Sequence, residues 1–274
     1  MHNIKNIRQN FDEFKKKILE RNINIELEKI ILLDRENREL IQKKESLEKQ
    51  KKDISKKNDK SLFEKSKEIS NLINELANQQ KIKKQDLYLI LSSLPNISNS
   101  DVPIGRDEKS NKVIETKGEI RNFDFKPQSH HELGENLKML DFDLASKTTG
   151  SRFVFVKKEL AYLERAISNF MIDLHTQKNG YIEISPPYIA SSNTMFGTGQ
   201  LPKFENDQFE LKLEDENDRK YLIPTAEVIL TNMVKDQILN IKELPIRLVA
   251  STPCFRKEAG SYGKDTKGMI RQHQ

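Results

Sequence analysis

The sequence has no tryptophan and one cysteine, Cys254. A single thiol cannot build a disulfide framework or a cysteine-rich zinc site, which suits a reducing compartment. No apolar run nears the length that crosses a bilayer; the best candidate is only Ile30 to Leu33. The opening MHNIKNIRQNFDEF lacks the apolar block of a secretory signal. A cytoplasmic protein with no membrane partner is expected. Hydrophobic residues make up 35% of the chain and its mean hydropathy is −0.72, low for a compact globule of 274 residues. An elongated, solvated element would dilute a normal core in this way.

Several catalytic signatures are missing as well. GSYGKDTKG is not a phosphate-binding loop, because Lys264 follows Gly263 and precedes Asp265. In HHELGEN, Glu135 stands where a zinc helix needs its second histidine, so no metal site is expected. The GxSxG elbow of a serine hydrolase does not occur. Cys254 lies in an apolar stretch and reads as a core residue.

What is present is unevenly placed. The net charge is +5, but residues 1–100 hold 22 Lys and Arg against 16 Asp and Glu, whereas residues 101–274 hold 25 against 26. A lysine-biased genome explains the abundance, not the asymmetry. An anionic partner for the N-terminal part is the sharper reading.

Ile4, Ile7, Phe11, Phe14 and Ile18 predict a helix over 3–20. Leu33, Leu40, Leu47 and Ile54 then recur at strict seven-residue steps, and Leu62, Ile69, Leu76 and Ile90 repeat the theme, with Lys83 at the polar step. SKKNDKS, residues 55–61, is turn-like, and no Gly or Pro interrupts 27–94. This predicts an antiparallel helical hairpin, its first arm roughly 40 Å long at the α-helical rise per residue. Residues 43–67 hold ten lysines and five acids, which fits equally a solvated surface and a phosphate-binding tip. LPNISNSDVPIGRDEKSNK is the clearest linker, so the boundary is placed near residue 100, dividing 1–100 from 101–274.

Beyond the linker the pattern becomes α+β. KVIET, RNFDF, SRFVFVKK, YIEIS, FELKL, KYLIPTAEVIL, IRLVASTPCFR and MIRQHQ read as strands, KYLIPTAEVIL turning helical after Glu227. Leu160, Leu163, Ile167, Phe170, Met171 and Leu174 mark one face of a helix over 157–178, stopped by Lys178-Asn179-Gly180. Strands without regular strand-helix alternation predict an antiparallel sheet with flanking helices.

The chain ends in CFRKEAGSYGKDTKGMIRQHQ. Arg256 and Glu258 are two apart, so on a strand they share a face. Gly260, Gly263 and Gly268 allow an open turn, and Arg271 lies on the returning leg. Two guanidinium groups on one hairpin can hold a polyphosphate while a carboxylate accepts from a donor-bearing ligand. Local chemistry alone favours the plainer alternative, an ion-paired surface hairpin.

The wider pattern alters that balance. Phe255-Arg256-Lys257-Glu258 followed by Arg271-Gln272-His273-Gln274 resembles motif 2 of class II aminoacyl-tRNA synthetases. FGTGQLPKF (196–204), LIPTAEV (222–228), TGSRFV (149–154) and LHTQKNGYIEISPPYIA (174–190) resemble, in order and spacing, the bacterial-type seryl-tRNA synthetases. The helical hairpin and the LPN…DVPIG linker resemble that family's N-terminal tRNA-binding arm, so the likeness covers essentially the whole chain. It implies a ligase that activates serine with ATP and Mg2+ and passes the seryl group to tRNA(Ser). It implies catalytic and ATP-binding roles for Arg256 and Glu258, ATP contacts from Lys257 and Arg271, and a serine pocket including Thr225, Ala226 and Glu227. Lys51, Lys52, Lys56, Lys57 and Lys60 become candidate tRNA contacts. Pro187 and the preceding helix resemble motif 1, which implies a homodimer. The competing reading is an RNA-binding hairpin protein whose synthetase-like domain is not catalytic.

The resemblance also implies further sheet strands, a second serine-binding glutamate and motif 3 beyond Gln274. The expected consequence is that the 274-residue chain alone forms no seryl-adenylate. Serine-dependent pyrophosphate exchange by this polypeptide would contradict that expectation.

Overall fold

A computed structural model of the chain describes all residues except 1, 24, 58–59, 216 and 260–266; the side chain of Lys60 also lies outside the described residues. Two compact units divide it, residues 1–119 and 120–274.

The first unit is helical. The single helix expected over 3–20 is two helices, α1 (Ile4–Gln9) and α2 (Phe11–Leu19). They meet at Asn10, whose φ of −133° is not helical, so the amphipathic pattern continues across a bend. The hairpin follows as α3 (Glu28–Lys56) and α4 (Phe63–Ser93). Its base is the core: Ile7, Phe14 and Ile18 of the short helices pack with Leu27, Ile30, Leu33, Leu87, Leu91 and Leu94. Farther along, only Ile69 of the heptad residues is buried, and Leu40, Leu47, Ile54, Leu62 and Leu76 are half-buried. Two helices alone cover a narrow seam, so polar groups assist there. Lys83 Nζ, at the polar heptad step, meets Glu36 Oε2 at 2.8 Å, and this pairing raises the Lys83 pKa.

Among the described residues of this unit, one charged side chain is buried. Asp34 is 3% exposed and accepts from Arg8 at 2.8 and 3.0 Å and from Arg38 at 3.2 Å. The fork from Arg8 ties α1 to α3 across 26 residues of sequence.

The second unit is α+β. It contains α5 (His130–Asn136), β1 (Leu140–Asp141), α6 (Phe142–Thr148), β2 (Phe155–Val156), α7 (Lys158–Lys178), β3 (Ile182–Glu183) and β4 (Ile189–Ser191). Then come α8 (Ser192–Gly197), β5 (Glu210–Leu211), β6 (Lys220–Leu222), α9 (Glu227–Asn232) and β7 (Leu248–Val249). Short caps begin several helices: Ser129 and Glu132 make a capping box on α5, Asp141 accepts from Leu144 N–H on α6, and Ser191 accepts from Thr194 N–H on α8. Gly180, at φ 67°, turns the chain after α7.

The main sheet has the order β4-β6-β5, antiparallel throughout, with Ala190 opposite Tyr221 and Glu210 opposite Tyr221. β1 and β2 form an antiparallel pair, but β3 and β7 run parallel, with Ile182 opposite Leu248. Under the main sheet, Ala190, Met195, Tyr221, Ile223 and Val228 form a second core with Leu201 and Ile229 against it. Arg219 pins the sheet's edge by donating to Glu210 at 2.6 and 3.0 Å and to Glu205. That contact holds the Glu210 carboxyl below its usual range.

Three expectations are corrected. KVIET and RNFDF form no strand; Val113, Ile114, Ile120, Phe123 and Phe125 are exposed, without ladder partners among the described residues. Alternating apolar residues alone do not make a strand when no neighbouring strand takes their hydrogen bonds. MIRQHQ is a turn over 268–271 followed by extended chain, and IRLVASTPCFR is strand only at β7. The face of α7 expected to be apolar is apolar, but Leu163, Ile167, Phe170, Met171 and Leu174 are all at least 40% exposed.

Two outcomes follow for stability. Arg8→Ala leaves the buried Asp34 carboxylate with one partner and should destabilise the helical unit by about 2–3 kcal/mol, whereas Arg38→Ala, at a more exposed pair, should cost about 0–1 kcal/mol. Urea unfolding followed by far-UV circular dichroism separates them, and equal losses would contradict the burial argument. For Glu210, whose folded pKa is depressed, the Arg219 contribution is present above the unfolded carboxyl value of about 4.3 and is lost as pH falls through the folded value. Glu210→Gln should therefore lower the melting temperature at pH 7, and the difference from wild type should shrink as pH falls through the depressed folded value.

Candidate functional site

The site is built on the end of the second core. Ile223 is buried, donates to Tyr188 O and accepts from Phe255 N–H at 2.9 Å, which carries the 255–259 segment alongside β6. The next amides alternate sides: Arg256 N–H goes to His273 O and Lys257 N–H to Asp207 O, both at 2.9 Å. His273 N–H in turn bonds Arg152 O at 2.9 Å. The two legs of the terminal segment are thus paired, although not as the regular ribbon expected.

Their side chains also depart from the simple strand rule. Glu258 has φ 50° and Arg271 φ 56°, left-handed values that end strand alternation at both. Even so, Arg256 and Glu258 line one cleft of about 210 Å³ with Gln200, Phe204, Asp207, Gln208, Pro224 and Thr225. Arg256 Nε donates to Pro224 O at 3.2 Å, which aims the guanidinium across the cleft wall. Arg271 reaches the same place through Glu258, donating to its Oε2 at 3.1 Å. One glutamate thus lies between a cleft arginine and a second arginine.

The other expected residues are placed as follows. Thr225 lines the cleft; Ala226 and Glu227 open α9, where the exposed Glu227 donates its amide N–H to Thr225 Oγ1 at 3.3 Å. Lys257 Nζ sits 5.7 Å from the Phe209 ring centroid and does not line the cleft. Lys52, Lys56 and Lys57 are exposed on α3 and beside its end, and Lys51 is half-buried. Lys60 lies outside the described side chains, as do Gly260, Gly263 and Lys264 of the loop.

Three residues outside the expected site complete the surroundings. Asp207 Oδ1 accepts from Ala259 N–H at 2.8 Å. Arg152 donates to the carbonyls of Arg271 and Glu258 at 3.1 and 3.4 Å. His130 Nε2 accepts from Met269 N–H at 2.9 Å and so ties down the turn at 268–271. Arg152 sits within TGSRFV and could have been found there; Asp207 and His130 carry no local signal. Gly268 (φ 63°) is required at that turn, because a Cβ would come within 2.5 Å of His130 Nε2.

Chemically, the cleft offers a cation at one wall and carboxylates and an amide nearby. It suits a ligand with a phosphate at one end and hydrogen-bond donors at the other. Among the described residues no three His, Cys, Asp or Glu side chains group to hold a metal.

Comparisons with known proteins bear on this arrangement. Residues 1–98 match the seryl-tRNA synthetase N-terminal domain, and residues 209–274 match the tRNA synthetase class II core domain (G, H, P, S and T). The chain is 67% identical over 274 residues to the serine–tRNA ligase of Pelagibacter ubique, covering all of this chain and 65% of that protein. It is 44% identical over 283 residues to the serine–tRNA ligase of Ehrlichia canis, covering all of this chain and 66% of that one. The fold is similar to the crystal structure of seryl-tRNA synthetase from Pyrococcus horikoshii complexed with ATP, with a TM-score of 0.84 and 34% identity, over 100% of this chain and 67% of that one. Cytoplasmic serine-tRNA ligase from Naegleria fowleri in complex with AMP matches with a TM-score of 0.79 and 26% identity, over 97% of this chain and 62% of that one. The chain thus spans about 65% of the length of the curated relatives it matches. With both family domains matched in order and the fold shared, the chain belongs to the seryl-tRNA synthetase family.

Proposed function

We propose that the protein is a serine–tRNA ligase, acting through the cleft that Arg256, Glu258 and Thr225 line. The observation that carries this reading is that Arg256 and Glu258 of the Phe-Arg-x-Glu stretch share one cleft with Thr225, in a chain whose fold matches an ATP-bound relative. The serine carboxylate attacks the α-phosphorus of ATP. A carboxylate–phosphorus bond forms, the bond to the bridging oxygen breaks, and pyrophosphate leaves with its electron pair. The ribose hydroxyl of the tRNA terminus then attacks the seryl carbonyl, and AMP departs. No protein nucleophile is needed, so catalysis is positioning and charge neutralisation.

Arg256 neutralises charge at the α-phosphoryl group, where it is greatest in the transition state. Glu258 accepts from the adenine end, and Arg271 faces the outer phosphates once ATP competes for it. Lys257 contributes positive potential only. Thr225, Ala226 and Glu227 bound the serine site, which takes serine's ammonium and hydroxyl donors. Magnesium would enter on the phosphates of ATP, since the described side chains do not group to bind it unaided.

The helical unit takes the tRNA(Ser) partner, with Lys51, Lys52, Lys56, Lys57 and Lys60 against phosphates. Residues 1–100 serve as this arm and residues 101–274 as the catalytic part. The exposed apolar face of α7 supports a homodimer through that helix. No helix of the described residues is long and apolar enough to cross a membrane, and the cytoplasm is the proposed location.

In the full-length enzyme, Arg256→Ala should reduce serine-dependent pyrophosphate exchange by at least about 10²–10³-fold, the scale of one lost charge-stabilising donor. RNA affinity should be unchanged; wild-type exchange would remove Arg256 from the chemistry. For the arm, log affinity for tRNA should fall with log salt at about −0.7 to −0.9 per phosphate contacted. Replacing Lys51, Lys52, Lys56 and Lys57 by Gln should flatten that slope by about 3–4, and an unchanged slope would remove them from the interface.

A further inference from the structure

The segment bearing Glu258 is held in a backbone conformation that it would not adopt alone. Glu258 is left-handed at φ 50°, a region that strongly favours glycine, and so are its two neighbours in space, Arg271 at 56° and Arg152 at 66°. Sparsely populated backbone of this kind persists only where surrounding contacts over-determine it.

Those contacts come from two sides. On one side, Asp207 takes both amides flanking Glu258: its carbonyl accepts from Lys257 N–H at 2.9 Å, and its Oδ1 accepts from Ala259 N–H at 2.8 Å. On the other side, the Arg152 guanidinium donates from Nε to Arg271 O at 3.1 Å and from Nη1 to Glu258 O at 3.4 Å. The backbone carbonyl of Arg152 adds a third tie, accepting from His273 N–H at 2.9 Å. A guanidinium can span two carbonyls because its donors form a rigid fork; a lysine ammonium has no such fork.

We infer that Arg152 and Asp207 are positioning residues that brace Glu258 and Arg271 in register, so that the carboxylate meets the donor edge of the nucleotide base. This rests on the proposed reading of the cleft as a nucleotide site. Asp207 clamps Glu258 from the cleft side, and Arg152 sets the spacing between the two legs. Arg256 is held separately by Pro224 O, so loss of the Asp207 clamp should leave the phosphate end in place, whereas loss of Arg152 also frees Arg271.

The test uses the 274-residue chain with Arg152→Gln, Asp207→Ala and the conservative Asp207→Asn, which keeps an acceptor oxygen. Hydrogen exchange at Lys257 and Ala259 reads the brace, and calorimetric titration with ATP and with inorganic triphosphate reads its consequence. Arg152→Gln and Asp207→Ala should each speed exchange at Ala259 by about tenfold or more, the effect of one lost hydrogen bond. Asp207→Ala should weaken ATP by about tenfold and triphosphate by less than about twofold, and Arg152→Gln, which also frees Arg271, should weaken both, with exchange in α3 and α4 unchanged. Asp207→Asn should behave nearly as wild type. Unchanged exchange at Ala259, or equal weakening of ATP and triphosphate by Asp207→Ala, would overturn the inference. If the wild-type chain binds no ATP, the nucleotide reading of this chain fails, and the brace still stands or falls on the exchange rates.

Discussion

From Phe255 to Ala259 the course of the chain is set by where its amide hydrogens go. A peptide group in this setting must find a partner or lose the energy of a hydrogen bond, and here the partners alternate. Phe255 turns to Ile223, Arg256 to His273, Lys257 and Ala259 to Asp207. That alternation sends the Arg256 side chain toward Pro224 and the cleft and sends Lys257 toward Phe209. Ile223 anchors the arrangement because it is fully buried beneath the sheet. Without this pairing, Arg256 and Glu258 would be two charged residues on a loose terminal segment, and the cleft would have no cationic wall.

The helical unit solves a different problem. Two helices alone cannot bury a wide face, so burial is concentrated at the base, where α1 and α2 complete the core. Beyond that base the seam is narrow, and charged pairs such as Lys83 with Glu36 take over part of the contact. The same economy explains the low hydrophobic fraction: a long hairpin needs few apolar residues and many solvated ones. A lysine-rich surface is then compatible with folding, because those side chains have no core to disturb.

Much of this was legible in residues. Leu33, Leu40, Leu47 and Ile54 announced the hairpin because heptad spacing has one strong structural meaning. Lys178-Asn179-Gly180 marked the end of α7 because a left-handed glycine does so locally. Other features were not legible, for physical reasons. Val113 and Ile120 look like strand residues, yet strands depend on a partner far away in sequence. The bend at Asn10 leaves the hydrophobic period intact, so periodicity could not reveal it. Arg256 and Glu258 were visible as a pair, but their placement depends on Asp207 and Arg152, which lie about 50 and 105 residues away along the chain. Left-handed backbone at a glutamate and an arginine has no sequence signature, since neither residue type favours it.

In the proposed function a nucleotide occupies the cleft between the 204–208 segment and the Arg256–Glu258 leg. Photolabelling of the chain with 8-azido-ATP, followed by peptide mapping, addresses that most directly. ATP-competable label is expected on peptides containing Phe204 to Gln208 or Phe255 to Glu258. Label confined to the helical unit, or label that ATP does not displace, would contradict it.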